Sequence, residues 1–329
     1  MNLKLTVFSA LTTLAMTLAA TGVHAAGFQH GFAADPNGKP LEIGIWYPSR
    51  ATPRSMSIGP TTMSVAFNSP VEGRALPLVV MSHGTGGSFL EHYDTAIALA
   101  DAGYVVAAVT HAGDNYADQS RSVFIMDRPK QMSRVIDHML SNWAGSATLD
   151  SARIGMFGFS AGGFTTLASI GGLADFSKVA PMCREHPEDF ACQMIAKVTQ
   201  AGITPPDASP AHDQRIKAAV VAAPALGFTF SPDGLKNVKI PVQLWRAEDD
   251  VVLPYPRYAE AVRLALPEVP DYHVVHKAGH FDFLAPCSVA LANIAPVICI
   301  SAPGFDRVAF HQTFNTSVID FFGKNLKPH

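Results

Sequence analysis

Charged residues are scarce in this 329-residue chain, at 16%, and neither sign gathers into a run. With a net charge of -3 and no cluster of Lys or Arg, nucleic acid and anionic membrane surfaces are excluded as partners, because both demand concentrated positive charge. No Gly-Lys-Ser or Gly-Lys-Thr completes a phosphate-binding loop. Cysteine and histidine never fall at the spacing of a zinc site, and no Cys-x-x-Cys occurs. Internal repeats and low-complexity linkers are missing as well, so one domain is the economical reading. Beyond the N-terminal segment no stretch reaches the ~20 apolar residues that a bilayer span requires. Nor is there an amphipathic helix suited to lie on a membrane.

What is present fits a packed globular core, with hydrophobic residues at 48%. The first residues have a different character. Lys4 precedes a small-residue apolar run over 5–20, and Val23-His24-Ala25 follows. A charged start, an apolar run and a small-residue end predict a signal peptide over residues 1–25, cut after Ala25. The competing reading, a retained anchor, is weakened by the shortness of the run and its Thr and Ser content. Export, to the periplasm or the medium, would place the four cysteines where disulfides persist. They form two local pairs, Cys183 with Cys192 and Cys287 with Cys299, each closing a short segment. Free buried thiols and a zinc site are the alternatives.

Short β-branched runs alternate with helical stretches, which predicts an α/β fold: a mostly parallel sheet with helices on both faces. Residues 41–47 read as an early strand at the sheet's antiparallel edge, and 76–82 as a central strand buried on both faces. Strands are expected over 104–110, 154–159, 216–222, 242–245 and 272–275. Helices are expected over 91–102, around 130–143, over 161–170 and over 308–322. Two segments break the rhythm. Residues 174–213 are long, polar and Pro-rich, and suit a partial lid or pocket rim within the domain spanning 26–329; residues 286–304 hold the second cysteine pair.

The chemistry gathers around Gly158-Phe159-Ser160-Ala161-Gly162. Gly-x-Ser-x-Gly between a strand and a helix forms a turn so tight that small residues must flank the serine, whose side chain then stands at the carboxyl end of the sheet. A serine hydroxyl needs a base, an orienting carboxylate and donors for the oxyanion it creates. In this arrangement the acid follows a later strand and the histidine follows the last. Glu248, Asp249 and Asp250 all follow the strand ending at 245. The stretch from Ala247 to Pro254 resembles the Gly-x-x-Asp-x-x-x-Pro that many α/β-hydrolases carry here, with Ala247 where glycine is usual; that likeness prefers Asp250 to Asp249, and Glu248 is third. His280, after Ala278-Gly279, completes the order; His273 and His276 lie in or at the end of the strand and are weaker candidates. For the oxyanion, the glycine-rich His83-Gly84-Thr85-Gly86-Gly87 follows the strand 76–82, so the N–H groups of Thr85 and Ala161 are the expected donors. Phe89, Phe164 and Phe228 could line a pocket or belong to the core.

Several of these segments resemble bacterial proteins of the dienelactone hydrolase and platelet-activating-factor acetylhydrolase-like group. The likeness includes Ile45-Trp46-Tyr47-Pro48, Ser82-His83-Gly84, Gly103-Tyr104-Val105-Val106, Thr110-His111, Gly158 to Gly163, and Ala278-Gly279-His280-Phe281. The resemblance implies an α/β-hydrolase fold and a serine carboxylic ester hydrolase with a modest lid, acting on a small-molecule ester without metal or cofactor. It carries Ser160, Asp250 and His280 over as the triad, and Thr85 and Ala161 as oxyanion donors. One departure is informative: dienelactone hydrolases proper use a cysteine nucleophile, and this chain has serine. Short-chain acyl esters therefore fit better than a dienelactone. A serine peptidase is the alternative enzyme, though related peptidases usually carry a propeller or a large cap, and this length leaves no room for a propeller. A hydrolase-like binding protein would need a broken triad.

Overall fold

The computed structural model describes residues 25–36, 38–200 and 211–328. Of the expected leader, all but Ala25 lies outside the described residues. The strands are β1 (Ala25–Ala33), β2 (Leu41–Ser49), β3 (Arg54–Ile58), β4 (Thr61–Phe67), β5 (Leu76–Ser82), β6 (Val105–Thr110), β7 (Leu149–Phe159), β8 (Ile216–Ala222), β9 (Val242–Ala247) and β10 (Asp271–Val275). The helices are α1 (Tyr93–Asp101), α2 (Asp127–Ser141), α3 (Ala161–Ser169), α4 (Val179–Glu185), α5 (Phe190–Gln200), α6 (Pro232–Leu235), α7 (Ala259–Ala265), α8 (Val289–Ile294) and α9 (Arg307–Asn325). Among the described residues the strands form one sheet, ordered β10-β9-β8-β7-β5-β6-β2-β1-β4-β3.

From β10 to β6 every neighbouring pair is parallel. Parallel strands need crossover helices, and these cover both faces, so the strands read as unbroken apolar runs. Successive side chains still point to opposite faces. Leu78 and Val80 of β5 join the core beneath α2, where Met132, Val135, Ile136 and Met139 follow helical spacing. Val79 and Met81 join the other core, with Leu99 of α1 and Phe314, Val318 and Phe322 of α9.

The far side of the sheet corrects one expectation. β2 runs antiparallel to β6, but it is not the edge: β1 pairs along its whole length from Ala25↔Ser49 to Ala33↔Leu41, and β4 and β3 extend the sheet further. β1 is easily overlooked because two glycines and a histidine interrupt its apolar pattern. The β4 signal was available: buried Met63 and Val65 alternate with exposed Thr62 and Ser64, the period of a half-solvated strand. The two cysteine pairs are bonded as Cys183–Cys192 and Cys287–Cys299. Residues 174–200 carry α4 and α5; of the expected rim, 201–210 lie outside the described residues. Among the described residues no helix is long and apolar enough to cross a membrane.

Candidate active site

Because β5, β7, β8, β9 and β10 are parallel neighbours, the turns that follow them emerge along one edge of the sheet. At the end of β7 the chain reverses into α3 through Ser160, which sits at φ 55°, ψ −117°. A non-glycine residue there is strained by roughly 1–3 kcal/mol and persists only where its surroundings fix it. They do: Ser160 N–H donates to Ala222 O at 2.9 Å, and Ser160 O accepts from Ala225 N–H at 2.9 Å. The flanking glycines are demanded by close approach. A Cβ on Gly158 would strike the carbonyl oxygen of Gly162, and one on Gly162 would strike that of Ser82.

The side chain of Ser160 meets one histidine. Ser160 Oγ lies 3.0 Å from His280 Nε2, and His280 Nδ1 lies 2.8 Å from Asp250 Oδ2. All three are buried. With its proton on Nδ1 donated to the carboxylate, the imidazole presents Nε2 as an acceptor to the hydroxyl. Asp250 is itself fixed, because its other oxygen accepts the N–H groups of Val252 at 2.9 Å and Leu253 at 2.7 Å. The competing residues go elsewhere. The Asp249 side chain is exposed. Glu248 binds His276 at 3.2 Å and the Lys277 N–H at 3.1 Å. His273 stacks on Trp245.

The turn after β5 abuts this group. A Cβ on Gly84 would lie 3.5 Å from Ser160 Cβ. Ala161 is the first residue of α3, where an N–H has no partner within the helix. Thr85 N–H also has no acceptor among the described residues. The structure thus brings Ser160, His280 and Asp250 into one hydrogen-bonded line, with the expected donors beside it. Of the three phenylalanines, Phe89 and Phe164 are buried core, and Phe228 packs edge-on against Tyr258.

Several residues around the site escaped the sequence reading. Arg128, 2% exposed, donates to His83 O at 2.6 Å, Gly84 O at 3.0 Å and Asp114 Oδ2 at 2.9 Å. Asp114 Oδ1 accepts the Gly86 N–H at 3.0 Å, and Glu91 Oε2 accepts the Gly84 N–H at 2.8 Å. Below them, His111 N–H donates to His83 Nε2 at 2.9 Å, and Ser82 Oγ lies 2.8 Å from His111 Nε2. Burial, reinforced by the Arg128 charge, holds both imidazoles well below the ordinary histidine range. Behind His280, Asp282 accepts the Gly279 N–H at 2.8 Å and the Arg307 Nε–H at 3.0 Å. His83 and His111 fall in segments that carry the resemblance, but Glu91, Asp114, Arg128, Asp282 and Arg307 have no motif; a pattern of chain spacing cannot reveal side chains that converge from separate elements.

Comparison with solved structures finds a chain of the same architecture. A ferulic acid esterase from Streptomyces cinnamoneus aligns with a TM-score of 0.63 at 20% identity, covering 94% of this chain and 93% of that one. The fold is that of the α/β-hydrolases. A family model described as platelet-activating factor acetylhydrolase, isoform II, matches residues 49–133, the part of this chain that runs from the end of β2 through the 83–87 turn into α2. Comparison with curated protein sequences finds no match.

Proposed function

We propose that this chain is a serine carboxylic ester hydrolase acting on short-chain acyl esters. The observation that carries the reading is His280 standing between Ser160 Oγ at 3.0 Å and Asp250 Oδ2 at 2.8 Å. The matched family region and the esterase of similar fold agree with an ester substrate. In the proposed reaction Ser160 Oγ attacks the ester carbonyl carbon while its proton passes to His280 Nε2. Asp250 fixes the histidine tautomer and stabilises the imidazolium. The carbonyl oxygen, now an oxyanion, receives the N–H groups of Thr85 and Ala161. Collapse expels the alcohol, protonated by His280, and leaves an acyl-serine that water hydrolyses by the same steps.

The two disulfides suit an exported protein whose leader, residues 1–25, is removed; in a single domain spanning 26–329, the described residues 174–200 would rim the acyl pocket. A panel of nitrophenyl esters from acetate to dodecanoate, with a ferulate ester and a peptide anilide beside it, tests the reading. Turnover should be highest on acetate and butyrate. Faster cleavage of the anilide than of any ester would replace esterase by peptidase.

A further inference from the structure

The donors of an oxyanion hole work only if they are held before the charge appears. A five-residue turn rich in glycine has little rigidity of its own, since glycine pays the largest entropy to be fixed. In this protein the rigidity is supplied from outside the turn. Both N–H groups flanking Thr85 are bound by carboxylates, Gly84 to Glu91 at 2.8 Å and Gly86 to Asp114 at 3.0 Å. The carbonyls of His83 and Gly84 are bound by one guanidinium, Arg128, at 2.6 and 3.0 Å. Arg128 is in turn paired with Asp114 at 2.7 Å, where the two side chains are 2% and 4% exposed. A planar, always-charged fork can serve both carbonyls and the carboxylate together, which an ammonium cannot.

Resting on the esterase reading above, we propose that Glu91, Asp114 and Arg128 are positioning residues that clamp the 83–87 turn, leaving the Thr85 N–H as its one donor aimed at the developing oxyanion. They touch no reacting atom. Their effect should therefore fall on the tetrahedral state and spare the bound ester, so kcat drops while KM stays nearly unchanged.

The test compares Glu91→Ala, Glu91→Gln and Arg128→Lys on nitrophenyl butyrate and on a butyl trifluoromethyl ketone. Ser160 Oγ adds to that ketone's carbon, its proton moves to His280, and the carbonyl electron pair becomes a stable oxyanion. Glu91→Ala removes the acceptor for Gly84, whereas Glu91→Gln keeps an amide oxygen for it. Misplacement of a donor by about 1 Å costs on the order of 10²-fold. Glu91→Ala and Arg128→Lys should lose about that factor both in kcat and in ketone affinity, and Glu91→Gln should recover most of it. Unchanged kcat, or a fall in kcat with full ketone affinity, would overturn the proposal. If Arg128→Lys does not fold, the Glu91 pair decides alone. Ser160→Ala separates the two readings: activity that survives in it defeats the esterase assignment itself, whatever the clamp variants do.

Discussion

Two turns meet at Ser160, and each is held by a buried arginine paired with a carboxylate, but the two supports are built differently. The 83–87 turn is held by side chains from the permanent layers of the fold: Glu91 just before α1, Asp114 after β6 and Arg128 in α2. The turn that carries His280 is held by Asp282, paired with Arg307 at 3.0 Å. Arg307 also donates to Ile298 O at 2.9 Å, within the loop closed by Cys287–Cys299, and to Ile300 O at 3.3 Å, just beyond it. One support is therefore internal to the sheet and its helices. The other leans on an inserted loop whose conformational freedom is reduced by a crosslink. The first contains a carboxyl group that titrates near neutrality; the second depends on a covalent bond that reductant can break.

The comparison can be broken hardest on the histidine side. Asp250→Asn should lower kcat by ~10⁴-fold, since the imidazole would hold the wrong tautomer. Asp249→Asn should be mild, because that side chain is exposed; equal losses in the two variants would undo the choice of acid. Next, Arg307→Met leaves Asp282 buried without its cation, and unfolding by denaturant should show a loss of about 3–5 kcal/mol. A smaller effect is expected from replacing Cys287 and Cys299 by serine, about 2–3 kcal/mol from the freed loop. That variant should also lose more ester turnover than the same change at Cys183 and Cys192, if the second loop supports His280 through Arg307.

The smallest effect concerns pH and belongs to the other turn. Burial pushes the Glu91 carboxyl up from 4.5 to about 7. The native protein then keeps a proton that the unfolded chain has released, so its stability is full below the ordinary carboxyl range and declines as pH rises towards 7. Thermal melts across that window should show the decline in the wild type and a flatter profile in Glu91→Gln.

The legible part of this molecule was the part whose chemistry is local in sequence. The serine turn declares itself because Gly158 and Gly162 must be glycines where backbone oxygens approach. The parallel strands declare themselves as apolar runs because both faces are covered. Asp250 was separable from Asp249 only by its distance from Pro254, a weak cue that geometry replaces with a hydrogen bond. The edge beyond β2 was missed since β1 carries glycines where apolar residues would mark a strand. The clamp on the 83–87 turn was invisible for a deeper reason: Glu91, Asp114 and Arg128 are ordinary charged residues in sequence, and only folding removes their charges from water and points them at one backbone.

The central claim is that Ser160 forms the acyl-enzyme. The most direct measurement is rapid mixing of the wild type and Ser160→Ala with excess nitrophenyl butyrate, followed by mass spectrometry of the quenched protein. The account predicts a burst of nitrophenol and a butyryl group on the peptide containing Ser160 in the wild type, with neither in Ser160→Ala. Equal nitrophenol release by the two proteins, or a butyryl group on another residue, would contradict it.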